Sequence, residues 1–204
     1  MNDLVIHGAL IVDGSGSEPT IGDVAVRDGV ITAVCQPGLT AAEVVDAEGL
    51  VLAPGIVDIH THYDAQLTWD ASASPSPQMG VTTVVVGNCG FGLAPCHPDH
   101  RDLTLKNLTK VEGMPLDALL SGVNWEFETF GEYLDVLAAR GVVPNVAALA
   151  NHSCIRTYVM GIDASQRRAT PGEIKAIGGL LRDAMEAGAI GLGTSTLESH
   201  NGEG

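Results

Sequence analysis

The chain has 204 residues, enough for one large domain or two small ones. Hydrophobic residues make up 45% and charged residues 17%, a globular composition; with aromatics at 4%, the core must be built from Val, Ile, Leu and Ala. A net charge of −15 argues against nucleic acid as a partner, since that needs a basic face, and against docking on anionic membranes.

The start, Met1-Asn2-Asp3-Leu4, carries no basic region followed by a long apolar segment, so no signal peptide is predicted. No apolar run approaches the length of a bilayer span. Cys35, Cys89, Cys96 and Cys154 lack framework-like spacing, and the expectation is a reduced, cytoplasmic protein.

Residues 1–54 predict a small all-β module. Residues 4–11 are apolar around Gly8. Val24-Ala25-Val26-Arg27 and Val30-Ile31-Thr32-Ala33-Val34 flank Asp28-Gly29, the signature of a hairpin with a two-residue turn. Val44-Val45-Asp46 and Leu50-Val51-Leu52 complete the module, and Pro54-Gly55 marks its boundary.

Residues 55–204 change rhythm. Residues 56–59 and 81–86 read as buried parallel strands, with further strands at 142–150 and 189–193. Thr129-Phe130-Gly131-Glu132 is a capping box opening a helix to about Arg140, stopped by Gly141. Thr170-Pro171-Gly172-Glu173 is a second, followed by an apolar stripe of Ile174, Ile177, Leu181, Ala184 and Met185. An insertion over residues 97–127 predicts a helix near residues 103–111. Strands alternating with helices give an α/β fold on a parallel sheet, open or closed. Only four strand–helix units are found, whereas a closed barrel of eight needs roughly 250 residues. The chain stops in Asn201-Gly202-Glu203-Gly204, and the expectation is a protein cut in mid-fold.

The most informative stretch is Asp58-Ile59-His60-Thr61-His62. On a strand, residues two apart share a face, so His60 and His62 project together with Asp58 one step earlier. Two imidazoles at the end of an apolar run suit a divalent transition metal; the alternative is a strand end with two solvated histidines. The next strand ends Gly87-Asn88-Cys89-Gly90, and Cys89 adds a zinc-type thiolate unless it is a small buried hydrophobe. His152 and Arg156 follow the third strand and are candidates to line a substrate cavity; Arg156 could instead pair with a nearby acid. Ser195 follows the fourth strand, where its hydroxyl could reach substrate or shape a turn. Cys96-His97-Pro98-Asp99-His100 reads as a solvated loop, and His7 and Cys35 as structural.

Asp58-Ile59-His60-Thr61-His62 after Pro54-Gly55 resembles the amidohydrolase superfamily of metal-dependent hydrolases. His62-Tyr63-Asp64-Ala65-Gln66, residues 80–90 and residues 151–161 are similar to its N-acyl-D-amino-acid deacylase (D-aminoacylase) branch. The resemblance implies a partial (β/α)8 TIM-type barrel preceded by a small N-terminal β-sandwich. It implies one or two zinc ions held by His60, His62 and Cys89, and hydrolysis of the amide of a small N-acyl-D-amino acid. The general base of that family would lie beyond Gly204, so the 204 residues alone are expected to be inactive. Asp58 and Asp64 are then outer-sphere or substrate-lining carboxylates rather than that base. A hydantoinase-like cyclic-amide hydrolase is the alternative within the superfamily. It commonly needs a lysine on the fourth strand, and Ala189-Ile190-Gly191-Leu192-Gly193-Thr194 has none. A non-catalytic fragment is the third reading.

Overall fold

A computed structural model describes residues 1–197 and residue 200. Of the glycine-rich end expected over residues 201–204, all lies outside the described residues. The chain divides into two compact units, Met1–Gly55 and Ile56–Gly204.

The first unit is one five-stranded sheet. Strands β1 (Asn2–Ile11), β2 (Thr20–Arg27) and β3 (Val30–Val34) run antiparallel in the order β3-β2-β1. β4 (Ala41–Asp46) and β5 (Val51–Leu52) both pair parallel with β1. The β2–β3 hairpin turns on Asp28 and Gly29, with φ of 51° and 73°, the two positive angles that match strand twist. One face buries Ala9, Ile11, Val24 and Ala47. Ile21, Val30, Ile31, Val44 and Val51 stand exposed, and no second sheet occurs among the described residues of this unit. Of the expected sandwich, one layer is present.

The second unit carries β6 (Ile56–Asp58), β7 (Val81–Val86) and β8 (Asn145–Ala148) as a parallel sheet in that order. β9 (Ala150–Asn151) pairs parallel with β10 (Leu192–Gly193). Leu149 joins β8 to β9 without a break in the ladder: its N–H donates to the Val86 carbonyl at 3.0 Å, while Ile190 donates to Ala148 at 2.9 Å. The result is an arc of four parallel strands in sequence order. The described residues form no closed barrel.

β6 is not the buried strand that its apolar run suggests. It pairs only with β7, and Ile56, Val57 and Ile59 are 55%, 55% and 73% exposed. β7, by contrast, is flanked on both sides, and its Val84 and Val86 are fully buried.

Among the described residues the α-helices are α1 (Arg101–Glu112), α2 (Leu116–Gly122), α3 (Phe130–Arg140), α4 (His152–Met160), α5 (Asp163–Gln166) and α6 (Pro171–Glu186). Both capping boxes form. Glu132 N donates to Thr129 Oγ1 at 3.2 Å, and Thr129 N donates back to Glu132 Oε2 at 2.9 Å. The same reciprocal pair joins Thr170 and Glu173. The α6 stripe is narrower than predicted: Ala184 is buried with Ile177 and Leu181 against the core, while Ile174 and Met185 remain exposed. The residues 97–100 are no fully solvated loop either, because Cys96 beside them is buried and contacts Thr104 Oγ1 at 3.3 Å. No helix of the described residues is long and apolar enough to cross a membrane.

Candidate metal centre

The C-terminal ends of the parallel strands carry the polar groups, as expected of an α/β active face. β6 ends at Asp58, so His60 and His62 lie in the loop beyond it rather than on the strand. The two-residue period survives because the chain keeps one rung of the ladder. Thr61 N and Oγ1 both donate to the Val85 carbonyl, at 3.1 and 2.7 Å, and Thr61 is buried. With Thr61 turned inward, its two neighbours share the other side. Their rings sit 5.3 Å apart, edge to face.

Cys89 arrives from the end of β7. Gly87, Cys89 and Gly90 all have positive φ, at 83°, 56° and 77°. Glycine takes such angles freely; a cysteine there is strained by roughly 1–2 kcal/mol. The turn brings Cys89 Sγ to 3.5 Å from His60 Nε2 and 3.9 Å from His62 Nε2. These three donor atoms lie within 4.8 Å of one another, and no other such cluster occurs among the described residues. Burial, with His60 and His200 nearby, holds the His62 imidazole below its ordinary value, which favours the neutral, ligating form. Nδ1 of His62 is buried without a hydrogen-bond partner among the described residues.

The turn is packed tightly from behind. A Cβ on Gly193 of β10 would collide with the Gly87 carbonyl, and one on Gly90 would come within 2.8 Å of Thr194 Cα.

Asp64 is fully buried and accepts from Gly87 N at 3.1 Å. Burial pushes its carboxyl up to about 7, and the Gly87 N–H offsets only part of that. Tyr133 of α3 donates to the Asp64 carbonyl at 2.9 Å, tying the loop after His62 to the helix layer. Asp58 Oδ1 accepts from the backbone N–H of His60 at 3.2 Å; it orients the chain there, not an imidazole ring.

His152 and Ser195 stand at the ends of β9 and β10. They line a cleft of about 210 Å³ together with Phe91, Asn107, Arg156 and His200. His152 Nδ1 is 3.1 Å from Thr194 Oγ1, and burial with Arg156 nearby lowers its basicity. Ser195 Oγ pairs with His200 Nδ1 at 2.9 Å. Arg156 spends its Nε and one terminal nitrogen on the carbonyls of Ala164 and Arg167, bracing α4 against α5, and makes no acid pair among the described residues. The cleft does not include His60, His62 or Cys89. The sequence assigns no role to His200, and its position beside Phe91, ring centroids 5.9 Å apart, has no local signal.

A parallel arc with two histidines after its first strand and a cysteine after its second defines the class: this chain belongs to the amidohydrolase family, whose profile matches residues 43–201. Among characterised relatives, the D-aminoacylase of Alcaligenes xylosoxydans xylosoxydans is 40% identical over 196 residues, covering 96% of this chain and 38% of that protein. The N-acyl-D-aspartate deacylase of the same organism is 39% identical over 199 residues, covering 96% and 37%. A solved D-aminoacylase described for its binuclear metal centre superposes with a TM-score of 0.80 at 36% identity, covering 95% of this chain and 38% of that one. The N-acyl-D-glutamate deacylase of Bordetella bronchiseptica, solved with zinc and a phosphonate inhibitor, gives 0.74 at 34% identity with the same coverage. The chain thus spans well under half the length of the relatives it matches.

Proposed function

We propose that this chain carries the zinc-binding part of an N-acyl-D-amino-acid deacylase, which hydrolyses the amide to a carboxylate and a D-amino acid. His60, His62 and Cys89 would hold the metal. One observation carries the reading: the convergence of two imidazole nitrogens and one sulfur at 3.5 and 3.9 Å. Zinc bonds of about 2.0–2.1 Å to nitrogen and 2.3 Å to sulfur set neighbouring donors about 3.5 Å apart in a tetrahedron, so the three atoms fit the ion. The ion supplies Lewis acidity toward the acyl carbonyl and makes water a usable nucleophile at neutral pH.

The chain's own residues do the positioning. Thr61 fixes the histidine pair by facing inward, and the Gly87–Gly90 turn presents the thiol. Asp64 and Asp58 hold backbone N–H groups of the two loops, and neither is assigned the proton transfer. His152 and Ser195 front a cleft on the same strand ends and are assigned to the substrate side, as is Arg156. The strand arc is read as the first part of a (β/α)8 barrel following a domain of residues 1–54, and four free thiols fit a reducing cytoplasm.

The test is zinc content and D-amino acid release, measured on this chain and on the complete product of its reading frame. One or two zinc ions and release from N-acetyl-D- but not N-acetyl-L-amino acids are expected of the complete product, with both lost in Cys89→Ala. Unchanged zinc in that variant, or equal release from the L series, overturns the assignment.

A further inference from the structure

We infer that Asn88 is a positioning residue for the three donors: its side-chain amide fastens the turn that bears Cys89 to the loop that bears His60 and His62. This rests on the metal reading above.

Asn88 is 9% exposed and immediately precedes Cys89. Its Nδ2 donates to the Val85 carbonyl at 2.9 Å and to the Thr61 carbonyl at 3.3 Å. Thr61 lies between His60 and His62, so one amide group spans from the thiol's neighbour to the backbone between the two rings. The Val85 carbonyl is the shared point, because it also receives Thr61 N and Oγ1. A second link joins the same two loops with backbone and side chain exchanged: Gly87 N of the turn donates to Asp64 Oδ2 of the histidine loop at 3.1 Å. The two bonds together cross-brace the loops.

A short side-chain amide suits this place. Two backbone carbonyls must be met by one group with two N–H donors; serine offers one, while leucine and carboxylate offer none. A reversed amide would set its oxygen against two carbonyl oxygens, which fixes the orientation. The turn also needs holding. Cys89 sits at a positive φ that it does not prefer, and the flanking Gly87 and Gly90 leave the backbone free to relax. Metal sites tolerate only about 0.5 Å of ligand displacement, so a relaxed turn withdraws the sulfur.

Asn145 provides the control. Its Nδ2 donates to the Thr82 carbonyl at 3.1 Å, the same kind of bond at the start of β8, on an exposed residue. The 204-residue chain and its Asn88→Leu, Asn88→Ser and Asn145→Leu variants are titrated with cobalt(II). Fold is followed by circular dichroism, and sulfur ligation by the near-ultraviolet thiolate-to-cobalt band. Asn88→Leu is expected to keep the wild-type dichroism, to bind cobalt roughly tenfold or more weakly, and to lose intensity in the thiolate band. Asn88→Ser, with one donor left, falls between, and Asn145→Leu matches wild type. Wild-type affinity and band in both Asn88 variants overturn the inference. So does unfolding of both, which makes the role structural only. Absence of the band in the wild-type chain strikes the metal reading instead.

Discussion

Cys89 Sγ lies 3.5 Å from Nε2 of His60, a residue 29 positions earlier in the chain. That separation suits two ligands of one small ion, and it is reached through a backbone angle that cysteine disfavours. The thiol is therefore held at some cost to stability, which gives it a distinct experimental signature.

Cobalt(II) bound to the wild-type chain should show a thiolate charge-transfer band. In Cys89→Ala the band should vanish and affinity should fall by more than the roughly 10–100-fold that follows loss of an outer hydrogen-bond partner. Titration monitored in the near ultraviolet decides this, and retention of the band would assign it to another of the four cysteines.

In the metal-free chain, Cys89→Gly should be more stable than Cys89→Ala by about 1 kcal/mol. Both remove the sulfur, but only glycine removes the strain of φ 56°. Urea midpoints compared at equal slope measure the difference; equal midpoints would show that alanine escapes the left-handed turn.

How much of this was legible in the sequence follows from how local each determinant is. The Asp28-Gly29 hairpin and the capping boxes at Thr129 and Thr170 are written within four residues, and they form as read. The triad was legible through residue chemistry, although His60 and His62 owe their shared side to the inward bond of Thr61 rather than to a strand. The Asn88 clamp was not legible, since one acceptor lies near the end of β7 and the other in the loop beyond β6. Nor was the exposure of β6, because an apolar run states what a strand could bury and not whether a neighbour covers it. Helices α2 and α4 escaped because short segments with mixed polarity carry little periodicity.

Acid should weaken the start of α6 through one carboxylate. The Arg167 guanidinium, with Thr170 N–H and Oγ1, holds Glu173 down to about 2 from an ordinary 4.5. A depressed native value means that the unfolded chain binds the proton first. The stabilisation is therefore complete above about 4.5 and is lost as pH falls toward about 2. Glu173→Gln should flatten that part of the stability profile, as read by urea midpoints across the acid range. An unchanged slope would assign it to other carboxylates.

Two glycine replacements should have opposite signs. Gly178→Ala, in the interior of α6 with open space around its Cα, should stabilise by about 0.5–1 kcal/mol. Gly193→Ala, whose methyl would strike the Gly87 carbonyl, should destabilise by about 1–3 kcal/mol and weaken cobalt binding by shifting the turn. Thermal melts and the cobalt titration test both; a benign Gly193→Ala would mean that β10 can retreat.

That contact between Gly193 and the Gly87 carbonyl also bears on synthesis. A ribosome that has emitted the first hundred residues has already made both imidazoles and the thiol. The backbone that buttresses the thiol's turn is still about a hundred codons away. The turn that bears the thiol thus gains its backing only once β10 is made, a strand that carries none of the three grouped donor atoms.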